Sequence, residues 1–470
     1  MTTLEAPVRL SAAPAGGGRR TPLTIAVTAV AYFMVTLDTL VVVTALPTIH
    51  RDLGGSVETL QWTINAYNMA FAAGIITAAA LGDRWGRRRV YTAGLGIFTV
   101  ASAACALAPT TATLIAFRAV QGAGAAIIVP LGLTLLTSAF PAERRGAVVG
   151  IWGGIAGLGV AAGPLVGGAV TQGLSWHWIF WVNVPNGLVA MVAARMVLPE
   201  TRGVRTRLDV PALVFVAAGV ASLVWGLVQG PTAGWNSGRV LTALIGGAVL
   251  LGAFVWWEAR TAEPMIPLRL FRSVSFSGAV TTQFLMAASI YAAAFIMSDY
   301  FQFGRGDSPL ATGLRFLPWT ATPLIVAPIA GAAFDRLGAR RLVVPGLLMQ
   351  AAGFAVIVHL ATTDAGYGAY VLPFIVAGVG ISMSLPCVPA AALNAAPEQF
   401  LGKAAGVVNT MQLFGATFGV AIATVVFNAR GSLDSPTSVS DGFRPALAVA
   451  AGLSVLGALS GLALRRARRG

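Results

Sequence analysis

Charge is scarce in this 470-residue chain. Only 10% of the residues are Asp, Glu, Lys or Arg, against about 25% in a soluble domain, which excludes an ordinary water-facing surface. Lysine is nearly missing: 30 of the 31 basic residues are Arg and one, Lys403, is Lys, a skew that fits genomic base composition better than a function. The two cysteines, Cys105 and Cys387, both fall in apolar segments, so no disulfide framework and no Cys-based metal centre is expected. Three scattered histidines build no metal site. No nucleophile elbow, HExxH pattern or P-loop lysine motif is present, so neither an enzyme nor an ATP-driven machine is expected, and no cofactor. The net charge of +14 would suit nucleic acid, but the charges sit in short loops between apolar runs. Topology explains them better, and no nucleic-acid partner is expected. The polar tail from Met1 to Arg20 lacks the apolar core and small-residue cleavage site of a secretory signal.

What the chain has is apolar length. It is 56% hydrophobic, and runs of 18 or more apolar residues recur throughout, which indicates an all-α integral membrane protein with many spans. Breaks at charged and Pro/Gly-rich points divide it into fourteen helices, the first at 23–47, the second at 60–81, the fifth at 146–171 and the last at 443–464. The seventh and eighth are parted only by Gly230 to Arg239. With the N-terminus in the cytoplasm, 23 of the 31 basic residues fall inside. Outside loops then hold only Arg51, Arg239, Arg305, Arg430 and Arg444, while Arg118, Arg195 and Arg315 lie within spans. That asymmetry predicts cytoplasmic termini on both ends, including the basic tail 465–470.

The loop ALGDRWGRRR (Ala79 to Arg88) returns as GAAFDRLGAR (Gly331 to Arg340) after the tenth helix. The two share Asp83/Asp335, Arg84/Arg336, Gly86/Gly338 and Arg88/Arg340. A six-helix unit repeated with two helices inserted follows from that spacing. The expected layout is a tail at 1–22, a six-helix bundle at 23–198, inserted helices with their flanks at 199–272, a second bundle at 273–464 and the tail 465–470. Repeated six-helix halves are the usual build of a carrier that alternates access about a midplane site.

Several residues stand out against the apolar background. LDTLVVVTALP (Leu37 to Pro47) places Asp38 near the middle of the first helix, where an ionised carboxylate costs roughly 3 kcal/mol or more. A group that is neutral when dry and ionised when wet can sense which way a cavity faces. Arg118 opens RAVQGAG on the fourth helix; it either snorkels to the surface or pairs with a carboxylate or carbonyl inside. In the fifth helix Gly159, Gly163, Pro164, Gly167 and Gly168 allow close backbone packing and a bend. The aromatics of WHWIFWVNVP, from Trp176 on, read as an interfacial belt. Asp83, Arg84, Gly86, Arg87 and Arg88, with Asp335 and Arg336 of the second copy, form either capped, positively charged turns or a gate between the halves. Asp299 in the ninth helix is taken as the counterpart of Asp38, either a solvated residue at a helix end or a second coupling or cation-recognising acid.

These stretches resemble the major facilitator superfamily, and within it the fourteen-span drug:proton antiporters, over about residues 23 to 428. LDTLVVVTALP is similar to that group's first-helix motif, ALGDRWGRRR to the superfamily loop motif, RAVQGAGAA to the fourth-helix motif and GLGVAAGPLVGG to the antiporter motif. WHWIFWVNVPNG and SPLATGLRFLP also look like that group. Leu40, Val43 and Ala79 depart from the usual pattern, as does NTMQLFGATFG (Asn409 to Gly419), which lacks a common Arg. The resemblance implies the two-bundle fold with fourteen transmembrane helices and a multi-pass location in a bacterial cytoplasmic membrane. It implies proton-coupled export of amphipathic or cationic drugs or antibiotics, with small-molecule substrate, protons and membrane lipid as partners and a monomer as the working unit. Asp38, Arg118 and Asp299 would carry proton coupling and Asp83, Arg84 and Arg87 the gate. Trp62, Tyr67, Asn68, Phe295, Asn409 and Gln412 are the candidate substrate contacts. Export of one dedicated metabolite, or a transport-inactive sensor on the same fold, are the competing readings.

Overall fold

A computed structural model describes residues 20–55, 57–140, 158–159, 162–202, 209–261, 264, 266, 268–361, 365–397 and 400–464. Nearly all of the expected N-terminal tail, the C-terminal tail and the first part of the expected fifth helix lie outside the described residues. No strand occurs among those described. In chain order the helices are α1 (Arg20–Leu53), α2 (Val57–Trp85), α3 (Arg87–Ala106), α4 (Thr111–Ser138), α5 (162–173) and α6 (Trp178–Val197). They continue with α7 (Val210–Ala233), α8 (Gly238–Arg260), α9 (Val274–Asp299, prolonged by a π turn at Tyr300–Gly304) and α10 (Pro309–Thr320 and Thr322–Leu337). The last four are α11 (Ala339–Leu360), α12 (Gly368–Ser384 and Cys387–Asn394), α13 (Leu401–Asn428) and α14 (Pro436–Gly461). Twelve candidate spans are long and apolar enough to cross a membrane among the described residues. The expected count of fourteen is reached only when α2 and α5 are added.

Helix ends follow capping chemistry rather than the edges of apolar runs. α14 begins seven residues before the expected 443, because Ser435 accepts a hydrogen bond from the Ser438 N–H and Pro436 occupies the first turn. The charged Asp441 and Arg444 had masked that start. Ser237, Ser273 and Ser308 cap α8, α9 and α10 in the same way. At the repeated loops Gly86 has φ +105° and Gly338 φ +81°, a backbone that L side chains avoid, so both copies of the turn depend on glycine at the same point.

Helices α1 to α4 and α6 pack on one another, as do α9 to α14, while α7 and α8 pair as a hairpin; α5 lies against α1 at Gly163 and Gly167. The two groups meet where α2 lies along α13, and α7 touches both of those helices. Within the inserted pair, α7 therefore lies against the seam, and α8 packs on α7. Three described hydrogen bonds cross between the groups, all near the end where α1 finishes. Ser298 Oγ donates to the Val43 carbonyl (3.2 Å), Gln302 Nε2 to the Thr44 carbonyl (2.9 Å) and the Leu310 N–H to Gln172 Oε1 (3.3 Å). At the same end a Cβ on Gly168 would strike the Pro309 backbone, and one on Gly313 the Pro164 backbone. Small residues here let α5 and α10 touch along their main chains.

Candidate functional site

Asp38 is fully enclosed, and its surroundings answer how an apolar helix holds a carboxylate. One oxygen, Oδ2, pairs with Arg118 Nη1 at 2.5 Å, both side chains being buried. The other, Oδ1, accepts from Gln121 Nε2 (3.0 Å) and Asn183 Nδ2 (2.9 Å). Ser102 Oγ takes a second hydrogen from each of these amides, at 3.2 and 3.1 Å, and gives its own to the Phe180 carbonyl. Three helices, α1, α4 and α6, thus meet at one carboxylate, and α3 braces the two amides through Ser102. Buried ions persist only where their remaining hydrogen-bonding capacity is filled in this way.

Arg118 does not depend on Asp38 alone. Its Nε donates to the Thr63 carbonyl (3.0 Å), its Nη1 also to Gln121 Oε1 (2.8 Å), and its guanidinium lies 4.1 Å from the Tyr67 ring centroid. That combination of carbonyl, amide and aromatic face can retain the cation when its carboxylate partner loses charge. Of the two readings open for Arg118, the paired one is the arrangement found. Trp176 and Phe180 depart from the expected interfacial belt. Trp176 is buried and donates Nε1 to Asp52 Oδ2 (2.8 Å), and Phe180 is buried with it, whereas Trp178 is exposed. Asn183, in the same stretch, is a ligand of Asp38. Sequence reasoning missed Ser102, Gln121 and Asn183 as a set, because their polar side chains lie on three different helices. The one available signal was three polar groups in otherwise apolar spans.

Gly159, Gly163 and Gly167 of the glycine-rich stretch all face α1. A Cβ at these points would meet Thr36 and Phe33, then Leu40, then Thr44 and Val41. These contacts bracket Asp38, so this stretch forms the close-fitting back of the Asp38 helix, while Gly168 faces α10. The bend expected at Pro164 falls beside 160–161, outside the described residues.

Asp299 is buried at 3% exposure, which removes the reading of a solvated helix end. No ion pair involves it among the described residues. It is not the positional counterpart of Asp38. The offset of 252 that superposes Asp83 on Asp335 carries Asp38 to Ile290, beside Ser289. Ser289 Oγ is bonded to Ser454 Oγ (2.7 Å) and Gln350 Nε2 (3.2 Å), joining α9, α11 and α14 as Asp38, Ser102 and Asn183 join α1, α3 and α6. The second group has a neutral version of the network, and the charge belongs to the first alone. Asp299 instead lies between Ser298 and Gln302, next to the hydrogen bonds that cross to α1.

The repeated loop binds within its own group. Asp83 pairs with Arg87 one helical turn on (2.8 Å), and the Arg88 N–H donates to Glu200 Oε1 (3.0 Å). Arg88 Nη1 reaches the Leu198 carbonyl, and Arg88 and Arg89 lie 3.7 and 3.6 Å from Glu200 Oε2. Glu200 is a partner that sequence reasoning did not find. Arg84 and Arg336 are exposed; the side chain of Asp335 lies outside the described set. Of the expected substrate contacts, Tyr67 belongs to the Arg118 site and Phe295 is packed in the core. Gln412 accepts from Gln283 Nε2 (3.0 Å), Trp62 packs partly buried against the core, Asn409 is half-buried and Asn68 is buried. Phe295 lies in a packed cluster separate from the one that holds Trp62 and Tyr67.

The family profile of the Major Facilitator Superfamily matches residues 28–420 and 279–470. This chain belongs to that superfamily. It is a multi-pass membrane transporter, not an enzyme. The tetracenomycin C resistance and export protein of Streptomyces glaucescens is 35% identical over 432 residues, 91% of this chain and 80% of that protein. The methylenomycin A resistance protein of Streptomyces coelicolor is 34% identical, covering 91% and 90%. The multidrug resistance protein Stp of Mycobacterium tuberculosis is 34% identical, covering 85% and 74%. The solved D-xylose-proton symporter shares the fold, with a TM-score of 0.67 at 16% identity over 95% of this chain and 98% of that one. An auto-inhibited peptide transporter of the POT family reaches 0.70 at 15% identity, covering 96% and 98%.

Proposed function

We propose that this transporter exports amphipathic drugs or antibiotics in exchange for protons, by alternating access across a bacterial cytoplasmic membrane with both termini inside. The observation that carries the proposal is the buried Asp38–Arg118 pair with its amide cradle. A transporter with no catalytic task keeps a carboxylate in an apolar helix at a large cost, and a titrating, reversibly hydrated group accounts for that cost. The similarity to resistance and export proteins agrees with an exported cargo. With the N-terminus inside, the three hydrogen bonds between the groups seal the outer end. Asp299, adjacent to that seal, is proposed to share the coupling. Asp83, Arg84, Gly86, Arg87 and Arg88, with Asp335 and Arg336, are proposed to gate the inner end, where Asp83 is here engaged by Arg87 rather than by the other group. Proton and substrate then bias one rocking equilibrium in opposite directions.

Proteoliposomes with an imposed pH gradient test this reading. Addition of a substrate should collapse the gradient, and the Asp38→Asn protein should not respond. If no compound in a toxic-compound panel moves protons in either direction, the antiport proposal fails.

A further inference from the structure

Asn65 and Asn68 on α2 are both fully buried, yet among the described residues neither carboxamide has a hydrogen-bond partner at its nitrogen or its oxygen. Buried amides are satisfied in nearly all folded proteins, and an exception calls for a ligand, ordered water or a function. The two are three residues apart and share one face of the helix. That face is not the one that packs on α4: the α4 contacts of α2 run through the Tyr67 main chain against Gly122, through Gly74 against Ala126 and through Gly82 against Leu131. At 100° per residue the asparagines are turned roughly 100–160° from Tyr67. They are turned away from α4; the other helices packed on α2 are α13 across the seam, α3, α7 and α1. Thr410 of α13 is likewise buried with an unpartnered Oγ1.

We infer that Asn65 and Asn68 form a paired carboxamide subsite for the exported molecule, and that the molecule is uncharged there and carries carbonyl and hydroxyl groups. This rests on the export reading above and names the chemistry of its cargo. The donor atoms decide the class. Each Nδ2 offers two hydrogens that need acceptors; an ammonium would satisfy the Oδ1 side alone, and a quaternary nitrogen neither side. A carbonyl or ether oxygen accepts those hydrogens, and a hydroxyl also supplies the hydrogen that each Oδ1 lacks. Asp38, whose partner Arg118 lies over the Tyr67 ring of this helix, is occupied by that arginine and offers a cation no free counter-charge.

The test uses purified full-length protein with two probes, a neutral dihydroxyanthraquinone and the permanent cation ethidium. The readouts are the melting temperature, its shift on adding each probe, and uptake into inside-out vesicles. Asn65→Leu and Asn68→Leu keep the branched heavy-atom shape of the side chain and remove its polar atoms. The expected result has three parts: an unchanged or higher melting temperature, a roughly tenfold weaker apparent affinity for the quinone, and a less than twofold change for ethidium, because unmatched polar groups discriminate strongly. Variants that melt lower and bind both probes as wild type does would assign the carboxamides to structural water and overturn the inference. An equal loss of both probes would also overturn it. Binding is read without a proton gradient, so failure of proton coupling and failure of the subsite are separately visible.

Discussion

At the scale of single residues, the Asp38 site shows why a buried charge is evaluated by its partners rather than by its burial. Asp38 uses both oxygens, and Arg118 retains a carbonyl, an amide oxygen and a tyrosine face beside the carboxylate. Removing one member of such a pair destabilises by about 3–5 kcal/mol, whereas removing both is often nearly neutral. Asp38→Asn is therefore expected to lower the unfolding midpoint in detergent, and Asp38→Asn combined with Arg118→Gln to recover much of the loss. Neither protein should confer resistance in a growth assay. A double variant no more stable than the single one would mean that the pair is not the dominant interaction at this site.

At the scale of elements, glycine positions decide which helices can touch. Gly159, Gly163 and Gly167 set the α5 backbone against α1, and Gly168 sets it against the start of α10. The first contact lies within one group of helices and the second crosses between groups, so they respond differently to substitution. Gly168→Leu has no space to enter without moving the Pro309 backbone. Its expected effect is to hold the α1 C-terminal end apart, seen as faster modification of an engineered cysteine at Thr44 and a loss of export at normal expression. Slow modification with full export would contradict this. The inserted hairpin α7–α8 is also an element-scale matter: through α7 it touches α2 and α13 together and covers the seam between the groups.

At the scale of the whole molecule, the repeat is symmetric in architecture and asymmetric in charge. Both turns use a positive-φ glycine, and both groups build a polar knot from their first, third and sixth helices. Only the first knot contains ions. Under the export proposal the two groups therefore contribute unlike acids, Asp38 within an ionised knot and Asp299 beside the bonds between the groups. The orientation behind that reading is open to a direct check. Single cysteines placed at Ser11 and Arg468 should resist a membrane-impermeant maleimide in intact cells and react in inverted vesicles, as the excess of arginine in the expected inside segments demands.

Much of this was legible in the chain because it depends on local or periodic properties. Apolar run length determined the membrane class and the helix order, and the paired loops determined the repeat. Asp38 and Arg118 were conspicuous because charge in an apolar span is costly wherever it lies. Tertiary structure alone decided that these two meet, that Ser102, Gln121 and Asn183 complete their shell, and that Glu200 holds the first turn. It also decided that Asp299 is buried beside the hydrogen bonds that cross between the groups. The physical reason is that a buried ion is stabilised by groups from several helices, 80 residues apart for Arg118 and 145 for Asn183. Sequence spacing carries no record of which helix faces approach.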